Sequence, residues 1–396
     1  MLIQRPTYLE KIKSYKDTQG IIKVITGIRR AGKSTLFKIY QDYLLKSGIK
    51  GKQIISINFE NLENNNLPDY TRLFEYIKSK LTPNMNYIFF DEIQNVKDFQ
   101  KVVNSLNLLE NVDLYITGSN AYLLSGELST LLSGRYIQIK IYPLSFKEYY
   151  SCFNNSDKNE VFGDYLKFGA FPYLLNLQNT EHKLNYLESI YNTIVIKDVI
   201  QRNKINDVKR LQKIILFICN NIGSLTSINN IKNQMCNDNF KINSATIENY
   251  ITALINSFII YKVPRYDIKG KELLKTNDKY YIADTGLKYF LTKNSTNDLG
   301  HMLENIVYLE LLSRGYNVFV GKNGSLEVDF VAIKNDIIEY YQVSQTIINA
   351  ETLERELKSL QNIKDNYPKY ILTMDTITEG NYNGIQCINI LKWLLK

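Results

Sequence analysis

The stretch Gly27-Ile-Arg-Arg-Ala-Gly32-Lys33-Ser34-Thr35 fits the pattern G-x-x-x-x-G-K-[ST]. It decides the fold because an apolar run at residues 21–26 leads into it and a helical stretch at 34–45 follows. Strand, glycine-rich loop and helix form the geometry that this pattern requires. The two glycines allow the backbone to curl so that its N–H groups point inward at phosphate oxygens. The helix N-terminus adds the positive end of its dipole. The sequence therefore predicts a phosphate-binding loop.

The side chains of this loop indicate which ligand it takes. Lys33 brings a mobile positive charge to the β- and γ-phosphates, and Ser34 offers a hydroxyl to Mg²⁺. We therefore expect ATP and Mg²⁺ as cofactors. The alternative is a glycine-containing turn between strand and helix that binds nothing. The candidate nucleotide-binding residues are Gly27, Arg29, Arg30, Ala31, Gly32, Lys33, Ser34 and Thr35.

A second part of the predicted site follows the apolar run at residues 87–90, where Asp91 and Glu92 stand side by side. In an open α/β sheet, ligands bind at the carboxyl ends of the strands. Asp91 is expected to hold Mg²⁺ through water, and Glu92 to act as the general base on the attacking water. Ser34 and Asp91 are thus the candidate metal ligands.

Two further polar residues complete the catalytic set of Glu92, Lys33, Asn120 and Arg135. Asn120 follows the run at 114–117, where it would sense the γ-phosphate and orient water; the alternative is an ordinary Gly-Ser-Asn turn. Arg135 precedes the next apolar run and is a candidate arginine finger acting across a subunit contact. An ordinary exposed arginine at a strand start is equally compatible with its spacing.

The alternation of apolar runs with helical patterns predicts an α/β chain with a parallel sheet in its first part. Residues 160–205 and 208–258 then indicate helices, the latter in three amphipathic pieces. A hairpin is expected around 258–283, and the last hundred residues return to mixed α/β. The five apolar runs of the first part are residues 21–26, 54–59, 87–90, 114–117 and 136–141.

Composition bounds the function classes. The chain has 396 residues, 44% hydrophobic and 22% charged, which excludes a disordered or collagen-like protein. A net charge of +8 is compatible with a nucleic-acid partner without requiring one. Four cysteines without a CxxC pair and only two histidines argue against a zinc site and favour a reducing compartment. With no apolar signal core and no membrane-length run, we expect a cytoplasmic protein without membrane contact.

With these motifs in place, the chain resembles prokaryotic AAA-type ATPases of the AAA_14 family that carry a C-terminal domain called DUF4143. The resemblance implies a P-loop ATPase core at 1–150, a helical segment at 151–205, a winged-helix-like module at 206–295 and a DUF4143-type, restriction-endonuclease-like α/β domain at 296–396. The matching stretches are residues 27–35, 90–94, 117–121, 134–135, 197–200 with Arg202, and 283–287.

The middle of the chain fits the plan of three helices and a hairpin, with residues 244–257 as the candidate recognition helix. The hairpin at 259–282 has a net charge of +3, which indicates a possible phosphate-contacting wing. A protein-contacting winged helix with a solvated hairpin is the alternative, so the partner stays open between DNA, a protein and further copies of the chain. The basic residues of the wing are Lys262, Arg265, Lys269, Lys271, Lys275 and Lys279.

The last domain carries Glu304 on a helix and Asp329 on a strand, with Gln342 and Ser344 on the next strand. Restriction-type nucleases use two or three carboxylates for a metal and E-x-K for the water. Here Gln342 and Ser344 stand at the E-x-K positions, and neither carries the needed charge. A degenerate nuclease fold is therefore expected, the alternative being a structural pair of buried acids.

Three functions follow from these features. The first is an ATPase that hydrolyses ATP to ADP and phosphate and couples the cycle to C-terminal modules. The second is a nucleotide-dependent switch that binds ATP tightly and hydrolyses it slowly for a protein partner. The third is an ATP-regulated nuclease, which the missing lysine of E-x-K disfavours.

Overall fold

The computed structural model describes residues 3–61, 69–119, 121, 134–153, 156–238, 240–292 and 298–396, and only the backbone of 275 and 276. The candidate residue Asn120 lies outside the described residues. The chain divides into two compact units. The first comprises Met1–Pro143 with Asn256–Phe258, and the second comprises Leu144–Ile255 with Ile259–Lys396.

The first unit contains a five-stranded, all-parallel sheet in the order β2-β3-β4-β1-β5 within the described residues. All five predicted strands are confirmed. The strands are β1 (Ile22–Thr26), β2 (Ile54–Asn58), β3 (Asn86–Asp91), β4 (Val112–Gly118) and β5 (Tyr136–Lys140). The helices are α1 (Pro6–Lys13), α2 (Lys33–Lys46), α3 (Tyr70–Lys80) and α4 (Phe99–Asn107).

Strands β3 and β4 are buried along their whole length. Their apolar runs reflect this position, because parallel strands covered on both faces have no solvent side. Ile88, Phe90 and Ile116 pack in one core cluster with residues of α3 and α4, such as Leu73 and Val103. Polar residues therefore gather where these strands end.

The second unit begins with helices. The three amphipathic helices expected over 208–258 are present, so that prediction is confirmed. A π-helical segment, Ile194–Gln201, continues directly from α7. The helices are α5 (Phe146–Tyr150), α6 (Lys158–Phe168), α7 (Thr180–Thr193), α8 (Val208–Asn220), α9 (Ile228–Asn237), α10 (Ser244–Asn256), α11 (Thr285–Leu291) and α12 (Leu299–Ser313).

The second unit also contains, within the described residues, an eight-stranded mixed sheet in the order β12-β13-β11-β10-β9-β8-β6-β7. The strands are β6 (Ile260–Asp267), β7 (Glu272–Ile282), β8 (Asn317–Asn323), β9 (Leu326–Lys334), β10 (Ile337–Ser344), β11 (Lys369–Thr373), β12 (Gly380–Tyr382) and β13 (Ile385–Asn389). Helices α13 (Ala350–Gln361) and α14 (Ile390–Leu394) complete the unit.

The predicted hairpin is present as β6 and β7, but it is not a free-standing wing. Strand β6 pairs in parallel with β8, from Arg265 opposite Val320 to Asp267 opposite Lys322. The hairpin thus forms one edge of the C-terminal sheet. The winged-helix description and the boundaries at 150, 205 and 295 stay predictions.

Asp284 explains the motif at residues 283–287. Its carboxylate is buried and accepts hydrogen bonds from the backbone N–H groups of Ala170 (2.6 Å) and Gly286 (2.9 Å). It thereby begins α11 and ties it to the end of α6. A Cβ on Gly286 would lie 2.0 Å from the carbonyl oxygen of Phe168, so only glycine fits there.

Candidate active site

The phosphate loop connects β1 to α2 with three residues at positive φ. Gly32, with φ of 99°, immediately precedes the first residue of α2, Arg30 has φ of 69°, and Gly27 has φ of 150°. Gly27 is required for a second reason, because a Cβ there would lie 2.2 Å from the carbonyl oxygen of Ile141. Gly27 therefore lets the chain after β5 pass directly against the loop.

Lys33 is the first residue of α2, and its side chain is only 4% exposed. Its ammonium donates to the carbonyl oxygens of Gly27 (3.1 Å) and Ile28 (3.4 Å). It also forms an ion pair with Glu92, at 3.5 Å from Oε1. The lysine charge therefore lies inside the curl of the loop and faces the carboxylate expected to act as base.

Asp91 ends β3 and is held by side chains from the neighbouring strand ends. Thr117 donates its hydroxyl to Oδ1 (2.5 Å), and the Asn58 amide donates to Oδ2 (2.9 Å). The Ser34 hydroxyl also hydrogen-bonds to this carboxylate. Burial raises the pKa of Asp91, while the hydrogen bonds from Ser34 and Thr117 oppose that rise.

The pair of Ser34 and Asp91 fits Mg²⁺. The cation favours oxygen ligands and is usually bound through one or two carboxylates, waters and substrate phosphates. A hydroxyl and a carboxylate already in hydrogen-bonding contact at the helix N-terminus meet that need. The two predicted ligands are therefore brought together by the end of β3 and the start of α2.

Glu92 has a backbone φ of 54°, which turns the chain away from β3. Its N–H donates to the Thr117 hydroxyl (2.9 Å), and Gln94 donates its amide to Oε2 (2.5 Å). Burial alone would raise the pKa of Glu92, but Lys33, Gln94 and Arg29 together hold it below its usual value. The carboxylate is thus ionised near neutral pH and able to accept a proton.

The other loop residues occupy different positions. Arg29 donates to Glu60 (2.7 Å) and to the Ser119 hydroxyl (3.4 Å), at the side of the site. Arg30 and Ser34 are exposed, and Thr35 is half-buried. Ala31 is fully buried, and its carbonyl accepts a hydrogen bond from Arg5 (3.0 Å).

Arg135 is not brought to this site. It is exposed and precedes β5, which runs parallel to β1 with Ile22 opposite Tyr136. Arg135 therefore lies at the amino-terminal edge of the sheet, whereas the phosphate loop lies at the carboxyl-terminal edge. Within its own core it is on the wrong side of the sheet for a finger, and a role at a neighbouring subunit stays a prediction.

Sequence reasoning missed three residues of the site, Asn58, Thr117 and Gln94. Asn58 and Thr117 end or nearly end β2 and β4, which flank β3. The signal was available, because parallel strands direct their carboxyl ends to one edge. Gln94 gave no such signal, since its contact with Glu92 depends on the turn Ile93–Asn95.

The C-terminal acids surround a lysine that was expected elsewhere. Lys279, predicted to contact phosphates from the wing, is buried on β7 and ion-paired with Glu304, Glu327 and Asp329. That prediction is wrong, because β7 turns this side chain toward α12 and β9. No group of three or more His, Cys, Asp or Glu side chains among the described residues is arranged to hold a metal ion.

Gln342 is likewise engaged within the protein. Its Oε1 accepts from the Asp329 N–H (2.7 Å), and its Nε2 donates to Glu356 (2.6 Å). The Asp329 carboxylate accepts from the Val343 N–H (2.9 Å). Asn305, which follows Glu304 on α12, pairs with both backbone groups of Ile282.

The strand, phosphate loop and helix, with carboxylates at the end of a neighbouring parallel strand, define a P-loop nucleotide-binding core. Residues 19–150 match the family AAA_14, described as an AAA domain. An uncharacterized protein of Haemophilus influenzae is 41% identical over 100% of this chain and 99% of its own length. The uncharacterized protein MJ1544 of Methanocaldococcus jannaschii is 32% identical, over 87% of this chain and 79% of its own. The chain belongs to one family with these two relatives, and its residues 19–150 form the AAA domain.

Residues 159–298 match a domain of unknown function called DUF8612. The match is thus to DUF8612 and not to the expected DUF4143, whose assignment is unconfirmed. Among solved structures, AMPPCP-bound DnaA from Aquifex aeolicus is similar with a TM-score of 0.31 and 17% identity, over 62% of this chain and 86% of that chain. In the part of the chain that the structure describes, no helix has both the length and the apolarity needed to cross a bilayer.

Proposed function

We propose that this chain binds ATP with Mg²⁺ and hydrolyses it to ADP and phosphate. One observation carries the proposal: the Lys33 ammonium and the Glu92 carboxylate face each other at 3.5 Å beside Asp91. These are a phosphate-binding cation, a base and a metal ligand at one edge of one sheet. The sequence pattern of the loop alone would support binding; the paired carboxylates support hydrolysis.

Binding rests on charge. Lys33 and the N–H groups at the start of α2 would meet the β- and γ-phosphate oxygens. Lys33 must then exchange part of its present contact with Glu92 for the phosphates. When bound, Mg²⁺ supplies charge that stabilises the phosphate oxygens, held by Ser34 and Asp91.

Hydrolysis then needs a base and a directed water. Glu92 takes a proton from the water as the water oxygen bonds to the γ-phosphorus, and the bond from that phosphorus to the β–γ bridging oxygen breaks. ADP leaves with the electron pair of that bond. Positioning and charge stabilisation account for the rate, since the phosphoryl group requires little covalent help from protein.

The test compares two site variants with two matched controls in ATPase and ATP-binding assays. Lys33→Ala should weaken ATP binding, while Glu92→Gln should keep binding and lose about 10²- to 10⁴-fold in kcat because an amide cannot take the proton. Lys38→Ala and Glu110→Gln make the same chemical changes at exposed positions of the first unit and should behave as wild type. Wild-type turnover by Glu92→Gln contradicts the proposal.

A slow nucleotide switch is the second candidate, favoured by the present engagement of Glu92. Its carboxylate is held by Lys33 and by Gln94, so the base is released only when Lys33 moves to phosphate. Single-turnover rates separate the two functions. If the single-turnover rate of hydrolysis is lower than the rate of product release, the chain is an ATPase limited by opening of the Lys33–Glu92 ion pair. If bound ATP stays intact for hours, the chain is a switch.

We also propose that Arg135 acts on a neighbouring copy of the chain, because its own sheet separates it from its own loop. Arg135→Ala and Lys33→Ala should each lose turnover. A mixture of the two variants should regain ATP turnover, because an intact phosphate loop in one subunit then meets an intact Arg135 in its neighbour. No regain in mixed oligomers assigns Arg135 to the surface instead. The unit that follows would transmit the cycle to DNA or to a protein partner.

A further inference from the structure

A buried acceptor beside the catalytic carboxylate has no donor. Oε1 of Gln94 is shielded from solvent, and no described residue gives it a hydrogen bond. The other end of the same amide donates to Glu92 Oε2 at 2.5 Å. The amide orientation follows from chemistry, because a carbonyl oxygen turned toward a carboxylate would be repelled. Leaving a buried acceptor unpaired is costly, so it points to a missing donor.

The acceptors around it are already committed. The Thr117 hydroxyl accepts from the Glu92 N–H and donates to Asp91. The Asn58 amide donates to Asp91, and its oxygen accepts from the Glu60 N–H. Among these described polar groups near Glu92, Gln94 Oε1 therefore remains available to accept a hydrogen bond.

An attacking water needs two acceptors to be fixed in orientation. It carries two hydrogens, and its lone pair must face phosphorus while the base accepts one hydrogen. Glu92 provides one acceptor. A second acceptor at a fixed distance from Glu92 would hold the other hydrogen and leave the lone pair directed.

We propose that Gln94 is a second catalytic residue of this site: its Oε1 accepts a hydrogen bond from the attacking water while its Nε2 fixes the Glu92 carboxylate. The proposal rests on the ATP hydrolysis proposed above. The two functions of one amide explain why glutamine stands two residues after the base. An apolar side chain at this position would fill the space but make neither hydrogen bond. A carboxylate would accept from the water but would not donate to Glu92.

The kinetic signature is a split between turnover and binding. Loss of a contact made to the reacting water lowers kcat and leaves ATP affinity unchanged. The substitutions leave Lys33, Arg29 and Asp91 in place around Glu92.

The experiment uses the full-length chain with Mg²⁺ and compares wild type, Gln94→Met, Gln94→Glu and Gln41→Met. Gln41, on α2, donates its amide to Ser56 and makes the matched control. We measure kcat, KM, affinity for a non-hydrolysable ATP analogue, and the melting temperature. Gln94→Met should lose about 10- to 100-fold in kcat with unchanged analogue affinity. Gln94→Glu should also lose kcat, because a carboxylate accepts from the water but does not donate to Glu92.

The outcomes separate the two proposals. If wild type hydrolyses ATP no faster than Glu92→Gln, the proposed function fails, and this inference fails with it. If wild type hydrolyses ATP but Gln94→Met keeps the wild-type kcat, only the inference is overturned. A variant that loses analogue affinity or melting temperature in proportion to kcat assigns Gln94 a structural role and overturns it equally.

Discussion

The ammonium nitrogen of Lys279 lies 2.8 Å from Oε1 of Glu327, in a pocket that also brings Glu304 Oε2 to 3.4 Å and Asp329 Oδ1 to 3.7 Å. The lysine side chain is 3% exposed. Burial alone would lower the pKa of Lys279, but the three carboxylates raise it well above its usual value. One internal cation thus stands among the acids where a nuclease would hold its metal.

Lys279→Met should destabilise the second unit strongly. Methionine keeps the length of the side chain but leaves three clustered carboxylates without a counter-ion, which costs about 3–5 kcal/mol for a buried pair. Lys262→Met removes a half-exposed partner of Asp278 on the same hairpin and should cost below about 1 kcal/mol. Chemical denaturation of both variants measures the difference. Equal losses would mean that the Lys279 cluster contributes no more than a surface ion pair.

The same arrangement predicts the absence of nuclease activity. Catalysis needs a metal held firmly and a water deprotonated near neutral pH, and here the position among the acids is filled by an ammonium. We expect no cleavage of linear, circular or single-stranded DNA with Mg²⁺ or Mn²⁺, with or without ATP. Cutting that disappears in Asp329→Ala but survives in Lys33→Ala would overturn this and make the chain a nuclease.

The P-loop core was predictable from sequence because its signals are local. A phosphate loop, its flanking strand and helix, and an acid pair after an apolar run are each contiguous, and parallel strands place their ends at one edge. Asn58 and Thr117 follow from the same rule once strand order is known. The role of Gln94 could not be predicted in this way, because its contact with Glu92 depends on the turn at Ile93–Asn95.

Lys279 was beyond local reasoning because its environment comes from distant chain segments. A charged residue in a hairpin is normally solvated, yet β6 pairs with β8 and the Lys279 side chain meets Glu304 of α12. The strand alternation held one clue, since Lys279 and Tyr281 share a face and the Tyr281 hydroxyl donates to Glu304 (3.0 Å). The position of Arg135 was equally hard to predict, because its distance from the phosphate loop follows from the direction of β5.

Gly286→Ala should destabilise the second unit, because its Cβ would meet the backbone carbonyl of Phe168 at 2.0 Å. Backbone cannot yield as a side chain can, so we expect a loss of about 3 kcal/mol or more of unfolding free energy. Gly300→Ala, on α12 with open space around it, is the matched control. It should be neutral or stabilising, because alanine favours helix. A Gly286→Ala protein as stable as the Gly300→Ala protein contradicts the packing described for α11.

Asp284 should make stability fall as pH rises. Burial raises the pKa of Asp284 to about 7, against hydrogen bonds from Ala170, Gly286 and Leu287 that lower it. Its unfolded pKa is near 3.9, so between those values the folded state holds a proton that the unfolded state has lost. The stabilisation is complete below about pH 4 and is lost as pH rises through about 7.

The measurement compares the unfolding free energy of wild type and Asp284→Asn at pH 5 and pH 7.5. The difference between them should change by about 2–3 kcal/mol across this interval, because asparagine does not titrate. Asp336→Asn, at an exposed turn, provides the control and should leave the wild-type pH dependence in place. If the unfolding free energies of wild type and Asp284→Asn change equally with pH, Asp284 is not the source of the pH dependence.

DNA contact by the β6–β7 hairpin should rest on its exposed turn. Lys262 is paired with Asp278 and Lys279 is buried, whereas Lys269 and Lys271 are exposed at the turn. Each phosphate neutralised contributes about −0.9 to the slope of log K against log salt. Changing Lys269 and Lys271 to Glu should therefore weaken duplex binding at every sequence and flatten the salt slope by about 2 units, while ATP affinity stays unchanged.

The matched control reverses the same number of charges on another surface, at the exposed Lys38 and Lys46 of α2. Fluorescence anisotropy of a labelled duplex across a salt series measures both slopes. A general electrostatic attraction to the whole chain would weaken both double variants alike, since each changes the net charge by the same amount. A contact at the turn weakens only the Lys269/Lys271 variant. Unchanged affinity in that variant removes the hairpin from DNA binding and directs the search to a protein partner.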